Sequence, residues 1–132
     1  MIQKIDHIGI AVADLQAAIE KYQAIFQKHP DLLEEVESQQ VRVAMFKAGE
    51  SSIELLEGTA PTSAITRFVE TRGEGIHHIC LSVESLQKAL EVLEEADFEI
   101  IRPADARGAG GSHIAFLHPK STGGVLIELV EK

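Results

Sequence analysis

Asp6-His7-Ile8-Gly9-Ile10-Ala11-Val12-Ala13-Asp14-Leu15-Gln16-Ala17-Ala18-Ile19 reappears 71 residues further on as His77-His78-Ile79-Cys80-Leu81-Ser82-Val83-Glu84-Ser85-Leu86-Gln87-Lys88-Ala89-Leu90. The closing segment repeats as well: Ile53-Glu54-Leu55-Leu56-Glu57 matches Ile127-Glu128-Leu129-Val130-Glu131, at an offset of 74. The difference of three residues between the two offsets is one loop insertion. A repeat of this size decides the fold before any element is placed, because each copy is one supersecondary unit.

Each copy opens and closes with strand-type alternation and carries a helical pattern between, so the coarse unit is βαβββ. In the first copy a strand is expected over about 3–12, then a helix capped by Asp14 with Leu15, Ala18, Ile19, Tyr22 and Phe26 inward and Pro30 marking its end. Strands over about 32–37, 41–47 and 52–57 follow, the last two joined by Ala48-Gly49-Glu50-Ser51, a hairpin composition. Ser63 to Arg72 reads as a linker helix. The second copy predicts a strand at 76–83, a helix capped by Ser85 with Leu86, Leu90 and Leu93 on one side, and strands near 98–101, 112–118 and 124–130. Arg102 to Gly111 has too many glycines and too little pattern for an element, and reads as a mobile loop. The expected class is α+β, two paired βαβββ modules related by a pseudo-twofold. The whole of 1–132 is expected to be one domain, with module 1 at about 1–60, the linker helix at about 61–74 and module 2 at about 75–132.

The chain has 132 residues, of which 45% are hydrophobic and 25% charged, enough apolar material for a packed core. Its net charge of −9 has the wrong sign for a nucleic-acid binder, which needs a basic face to neutralise phosphates. No apolar run approaches the roughly 18 to 20 residues of a membrane-spanning helix. Met1 to Ile5 leads directly into patterned sequence rather than a leader peptide. The single cysteine, Cys80, forms no intramolecular disulfide and fits a reducing compartment. These points give a cytoplasmic protein, or the mature form of an organellar one, with no nucleic-acid or membrane partner.

Strand parity then sorts the repeated side chains, because neighbours alternate faces. Ile8, Ile10 and Val12 take the helix side, leaving His7, Gly9 and Ala11 on the other. Ile79, Leu81 and Val83 do the same and leave His78, Cys80 and Ser82. His78 is therefore the duplicate of His7, and His77 falls at Asp6. In the closing strands Glu54 and Glu128 each stand opposite an isoleucine and leucine pair. An acid inside Ile-Glu-Leu must be solvated, paired or metal-bound. Each half thus supplies one His and one Glu, 47 residues apart in the first (His7, Glu54) and 50 in the second (His78, Glu128). Any one of the four is ordinarily a half-exposed strand residue, but recurrence in register would require matching accidents in both halves. Two imidazoles and two carboxylates suit a borderline divalent ion such as Co, Mn, Ni, Fe or Zn, not calcium or copper(I).

Cys80 has no counterpart in the first half, where Gly9 stands, and reads as a small buried hydrophobe. His29, His113 and His118 follow neither the repeat nor each other and read as structural or surface residues. The glycines of 108–111 lack the strand-to-helix setting of a phosphate-binding loop. Glu34 to Glu37 reads as a solvated strand edge.

From Asp6-His7-Ile8-Gly9-Ile10-Ala11-Val12, through Gly75-Ile76-His77-His78-Ile79-Cys80, to Phe116-Leu117-His118-Pro119-Lys120-Ser121-Thr122-Gly123-Gly124-Val125-Leu126-Ile127-Glu128, the chain resembles the vicinal oxygen chelate superfamily over essentially its whole length. That resemblance implies a metal in the cleft of a curved mixed sheet, held by His7, Glu54, His78 and Glu128. Within the superfamily the resemblance is to the epimerase branch. It implies interconversion of (R)- and (S)-methylmalonyl-CoA by α-proton abstraction through a metal-stabilised enolate, with an acyl-CoA substrate and a homodimer. Cobalt is the favoured ion, with manganese, nickel or zinc as alternatives. Glu54 and Glu128 would carry protons on the two faces, so at least one must loosen from the ion during turnover. Some members carry Gln at the Glu54 position and a separate Glu where this chain has Val43. Arg42, Arg107 and Lys120 are the basic groups available to an anionic CoA thioester. Rival readings are a glyoxalase I-like lactoylglutathione lyase, an extradiol dioxygenase using two His and one Glu around iron(II), and a metal-free module that sequesters a ligand.

Overall fold

The computed structural model describes residues 1–103 and 113–132. In chain order it forms β1 (Ile2–Ala11), α1 (Leu15–Phe26), β2 (Leu32–Val36), β3 (Val41–Ala48), β4 (Ser51–Gly58), α2 (Ala64–Arg72), β5 (Gly75–Val83), α3 (Leu86–Glu95), β6 (Ile100–Ile101), β7 (His113–Leu117) and β8 (Ile127–Glu131). This is the α+β succession expected: β1-α1-β2-β3-β4 and β5-α3-β6-β7-β8, with α2 between. Most of the glycine-rich segment at 102–111, Arg107 included, lies outside the described residues. No helix among the described residues is long and apolar enough to cross a membrane.

Two compact units emerge. One comprises Ile8–His77, the other Met1–His7 together with His78–Lys132. In the Ile8–His77 unit the strands run in the order β2-β3-β4-β1, with β3 antiparallel to both β2 and β4. The apolar face of α1 packs Leu15, Ala18 and Ile19 on Val12, Ala44, Phe46 and Leu55, with Tyr22 and Phe26 against the Phe46 ring. The other sheet face sets Ala11, Val41, Val43 and Leu56 against Ile65 of α2. Gly58 permits that docking, since a Cβ there would lie 2.8 Å from the Thr66 backbone nitrogen of α2.

In the second unit the order is β1-β5-β8-β7-β6, with β5 and β8 parallel and β7 antiparallel to both of its neighbours. Val83, Ala89, Leu90, Ala115, Leu117 and Leu129 form the core under α3, and Cys80, Ile114 and Val130 a smaller one on the opposite face. The parity read from the repeat therefore holds: Ile10 and Val12, like Leu81 and Val83, pack beneath their helices.

Both helices start as the repeat predicts, and with a second device. Asp14 accepts a hydrogen bond from the Ala17 amide and Ser85 from the Lys88 amide. In addition, the Leu15 amide donates to Glu57 and the Leu86 amide donates to Glu131, each at 2.7 Å. The repeated terminal glutamates thus satisfy amides that a first helical turn leaves unpaired, and place negative charge at the positive end of each helix.

Some boundaries differ from expectation. α1 ends at Phe26, before Pro30, because Gln27 adopts a left-handed conformation (φ 57°) and donates back to the Gln23 carbonyl. β6 is two residues long, since Asp97 is also left-handed (φ 66°) and the chain is still leaving α3. β8 begins at Ile127 rather than 124: Gly123 and Gly124, at φ 74° and 104°, complete the turn started at Pro119–Ser121.

Candidate metal centre

Within the Met1–His7 and His78–Lys132 unit, β1, β5 and β8 bring three of the four expected ligands together. His7 Nε2 lies 3.1 Å from His78 Nε2, and Glu128 Oε1 lies 2.9 Å from His78 Nε2 and 3.3 Å from His7 Nε2. The parallel pairing of β5 with β8 places Cys80 opposite Glu128, so His78 and Glu128 emerge on the same sheet face. All three side chains are buried, each residue 6% exposed. The imidazole rings meet edge to face, with centroids 5.2 Å apart, and Phe116 of β7 stands edge-on to His78.

Glu54 belongs to the other unit, where it is buried on β4 opposite Met45 of β3. Val43 is two residues along the same strand face, opposite Leu56, and is taken up in the core with Ile65. Glu54 therefore has the burial expected of a functional acid, and Val43 is a core residue here.

Three ligand atoms in mutual contact, two of them on imidazoles, need a proton or a cation among them. The spacing fits an ion. With bonds of about 2.1 Å, neighbouring ligands of an octahedral ion lie roughly 3.0 Å apart and those of a tetrahedral ion about 3.4 Å apart. The observed edges of 2.9, 3.1 and 3.3 Å are centred nearer the octahedral value. The donor set of two nitrogens and one carboxylate oxygen suits a borderline divalent ion and leaves positions open.

Electrostatics support an ionised carboxylate. Burial pushes the Glu128 carboxyl up, but hydrogen bonds from His7 and His78 outweigh it and bring the pKa down to about 2. Asp6 behaves alike: burial raises it, while His7 and Lys132 together take it to about 2. Asp6 Oδ2 is 2.8 Å from His7 Nδ1, and Oδ1 is 2.8 Å from Lys132 Nζ. Sequence reasoning missed Asp6 because its repeat partner is His77, whose ring instead meets Phe68 edge-on at 5.0 Å.

Cys80 adjoins this centre, its sulfur within 4.8 Å of Asp6 and His7, but it is fully buried and burial drives its thiol up to about 12, so it packs as a small hydrophobe. His118 accepts from the Lys120 amide at the turn before β8, His29 meets the Gln23 side chain at 3.2 Å, and His113 is exposed. Arg42 pairs with Glu57 at 3.3 Å and Glu35 at 3.7 Å, and Lys120 sits in the turn Pro119–Ser121.

Residues 6–116 match the Glyoxalase/Bleomycin resistance/Dioxygenase superfamily. The chain is 37% identical over 134 residues to the mitochondrial methylmalonyl-CoA epimerase of Dictyostelium discoideum, covering 99% of this chain and 80% of that one. It is 34% identical to the ethylmalonyl-CoA/methylmalonyl-CoA epimerase of Cereibacter sphaeroides, covering 98% of each. A solved structure of a Streptomyces coelicolor methylmalonyl-CoA epimerase variant, in complex with 2-nitronate-propionyl-CoA, superposes with a TM-score of 0.94 at 37% identity, over 100% of this chain and 96% of that one.

Proposed function

Because the chain belongs to the Glyoxalase/Bleomycin resistance/Dioxygenase superfamily, we propose that it interconverts (R)- and (S)-methylmalonyl-CoA with the help of one divalent ion. The observation that carries this reading is the buried triangle of His7, His78 and Glu128, in a chain similar along its length to epimerases of that substrate. Glu54, the repeat counterpart of Glu128, is the proposed fourth ligand. Cobalt is the favoured ion and manganese, nickel or zinc are the alternatives, all compatible with nitrogen and oxygen donors. When bound, the ion supplies Lewis-acid stabilisation of the negative charge that develops as the substrate loses its α-proton.

The protein's own part is proton traffic. The C–H between a thioester and a carboxylate is acidic, its loss leaves an enolate, and return of a proton to the opposite face inverts the centre. Inversion therefore needs a carrier on each face, and the two repeated carboxylates are the proposed pair. A carboxylate oxygen that holds the ion cannot also hold the proton, so at least one of Glu54 and Glu128 leaves the ion during turnover. The burial of His7, His78 and Glu128 excludes bulk water and strengthens these interactions. An acyl-CoA is anionic while the chain carries −9, so the CoA phosphates must meet local cations; Lys120 is one candidate, and Arg42 another if it leaves its pairs with Glu57 and Glu35.

The direct test is a product assay with two substrates, (S)-methylmalonyl-CoA and the glutathione hemithioacetal of methylglyoxal. Formation of the (R) epimer alone supports the proposal. Formation of lactoylglutathione alone would replace it with the lyase reading, and turnover of neither, with no metal bound, would point to a ligand-sequestering module.

A further inference from the structure

A charged aspartate at a buried position of a central strand is costly unless each oxygen is used. Asp6 is only 4% exposed, and both of its oxygens are engaged: Oδ2 with His7 Nδ1 at 2.8 Å and Oδ1 with Lys132 Nζ at 2.8 Å. An ionised carboxylate only accepts hydrogen bonds, so the His7 nitrogen facing it must be the donor. The doubly protonated ring can donate from both nitrogens, to Asp6 and to Glu128. In the neutral ring Asp6 keeps the remaining proton on Nδ1 and the lone pair is on Nε2. That is the nitrogen 3.1 Å from His78 Nε2 and 3.3 Å from Glu128 Oε1.

We propose that Asp6 is a positioning residue: it locks His7 in the Nδ1-protonated tautomer and so aims a lone pair at the ion site, while Lys132 holds Asp6 from behind. This rests on the reading of His7 as a ligand given above. It goes beyond the fourfold set, because Asp6 is not duplicated in the repeat: the second half has His77 at that place. A carboxylate behind a ligating imidazole also raises the basicity of the ligand, and loss of such a partner typically costs 10- to 100-fold in metal affinity.

The test uses the full-length protein and two variants, Asp6→Ala and Asp6→Asn, the second retaining the shape of the site if the first folds poorly. The His7 tautomer is read in the metal-free proteins by long-range ¹⁵N–¹H spectra, about two pH units above the ordinary histidine pKa of ~6.5. Cobalt(II) affinity is measured by calorimetry. The wild type should carry its proton on His7 Nδ1. Asp6→Ala should lose that preference and bind cobalt roughly 10- to 100-fold more weakly, and Asp6→Asn, with an uncharged acceptor, should fall between. A merely structural Asp6 would give a less stable variant with the tautomer and affinity unchanged, and that result overturns the proposal, as does an Nε2-protonated His7 in the wild type. Should the wild type bind no cobalt, the ion reading fails, yet the tautomer comparison still decides the role of Asp6.

Discussion

Replacing Glu128 by glutamine removes one charge from the metal-free centre while preserving its shape. The depressed pKa gives the size of the effect. The Glu128 carboxyl falls from an ordinary 4.5 to about 2 on folding, against the opposing influence of burial, because His7 and His78 hydrogen-bond to its ionised form. At about 1.4 kcal/mol per pKa unit, the interaction contributes roughly 3 kcal/mol of stability at neutral pH. A group whose pKa is lowered on folding contributes fully above the unfolded value and loses its contribution as pH drops toward the folded one. The penalty of Glu128→Gln should therefore be on the order of 3 kcal/mol at pH ~7, roughly half of that at pH ~3, and close to nothing below pH ~2. Urea unfolding of wild type and variant, both stripped with a chelator, measures the difference at each pH. A penalty that is absent at neutral pH, or that does not shrink between about pH 5 and pH 3, would refute the claim that the two imidazoles hold an ionised Glu128.

Other predictions follow from the frame around the site. Glu57→Gln and Glu131→Gln each remove a charged acceptor from the first amide of α1 or α3 and should cost about 0.5–2 kcal/mol in urea unfolding. A cost at one helix and none at the other would show that the duplicated glutamates do not share a role. Gly58→Ala drives a methyl group into the α2 backbone at Thr66 and should destabilise by about 1–3 kcal/mol, seen as a melting temperature several degrees lower. Cys80, fully buried and with its thiol pushed up to about 12, should resist thiol reagents in the native protein and react only on unfolding; rapid native-state modification would contradict its packing among Ile114 and Val130.

Much of this was legible from the repeat, since two copies of one pattern report on the same local environment twice. Asp14 and Ser85 were visible as caps because their hydroxyl or carboxylate oxygen acts within one turn. His7, His78 and Glu128 were selected by parity, and parity survives folding because side-chain alternation along a strand is a property of the backbone. Glu57 and Glu131 were repeated at the same offset as Glu54 and Glu128, but their capping of α1 and α3 joins elements 42 and 45 residues apart. Asp6 was invisible for two reasons. It has no duplicate, and its second partner, Lys132, lies at the far end of the chain. The early stop of α1 and the short β6 depend on non-glycine residues, Gln27 and Asp97, in left-handed conformations, which residue type alone does not announce.

The central claim is that His7, His78 and Glu128 gather a divalent ion on which α-proton loss from methylmalonyl-CoA depends. Solvent deuterium incorporation into methylmalonyl-CoA tests it most directly, measured by mass spectrometry with metal-loaded protein, with chelator-treated protein and after cobalt is restored. Rapid incorporation of one deuteron with the loaded protein, loss of exchange on chelation and recovery with cobalt are expected. Absence of exchange with the loaded protein, or exchange that continues unchanged after the metal is removed, would contradict it.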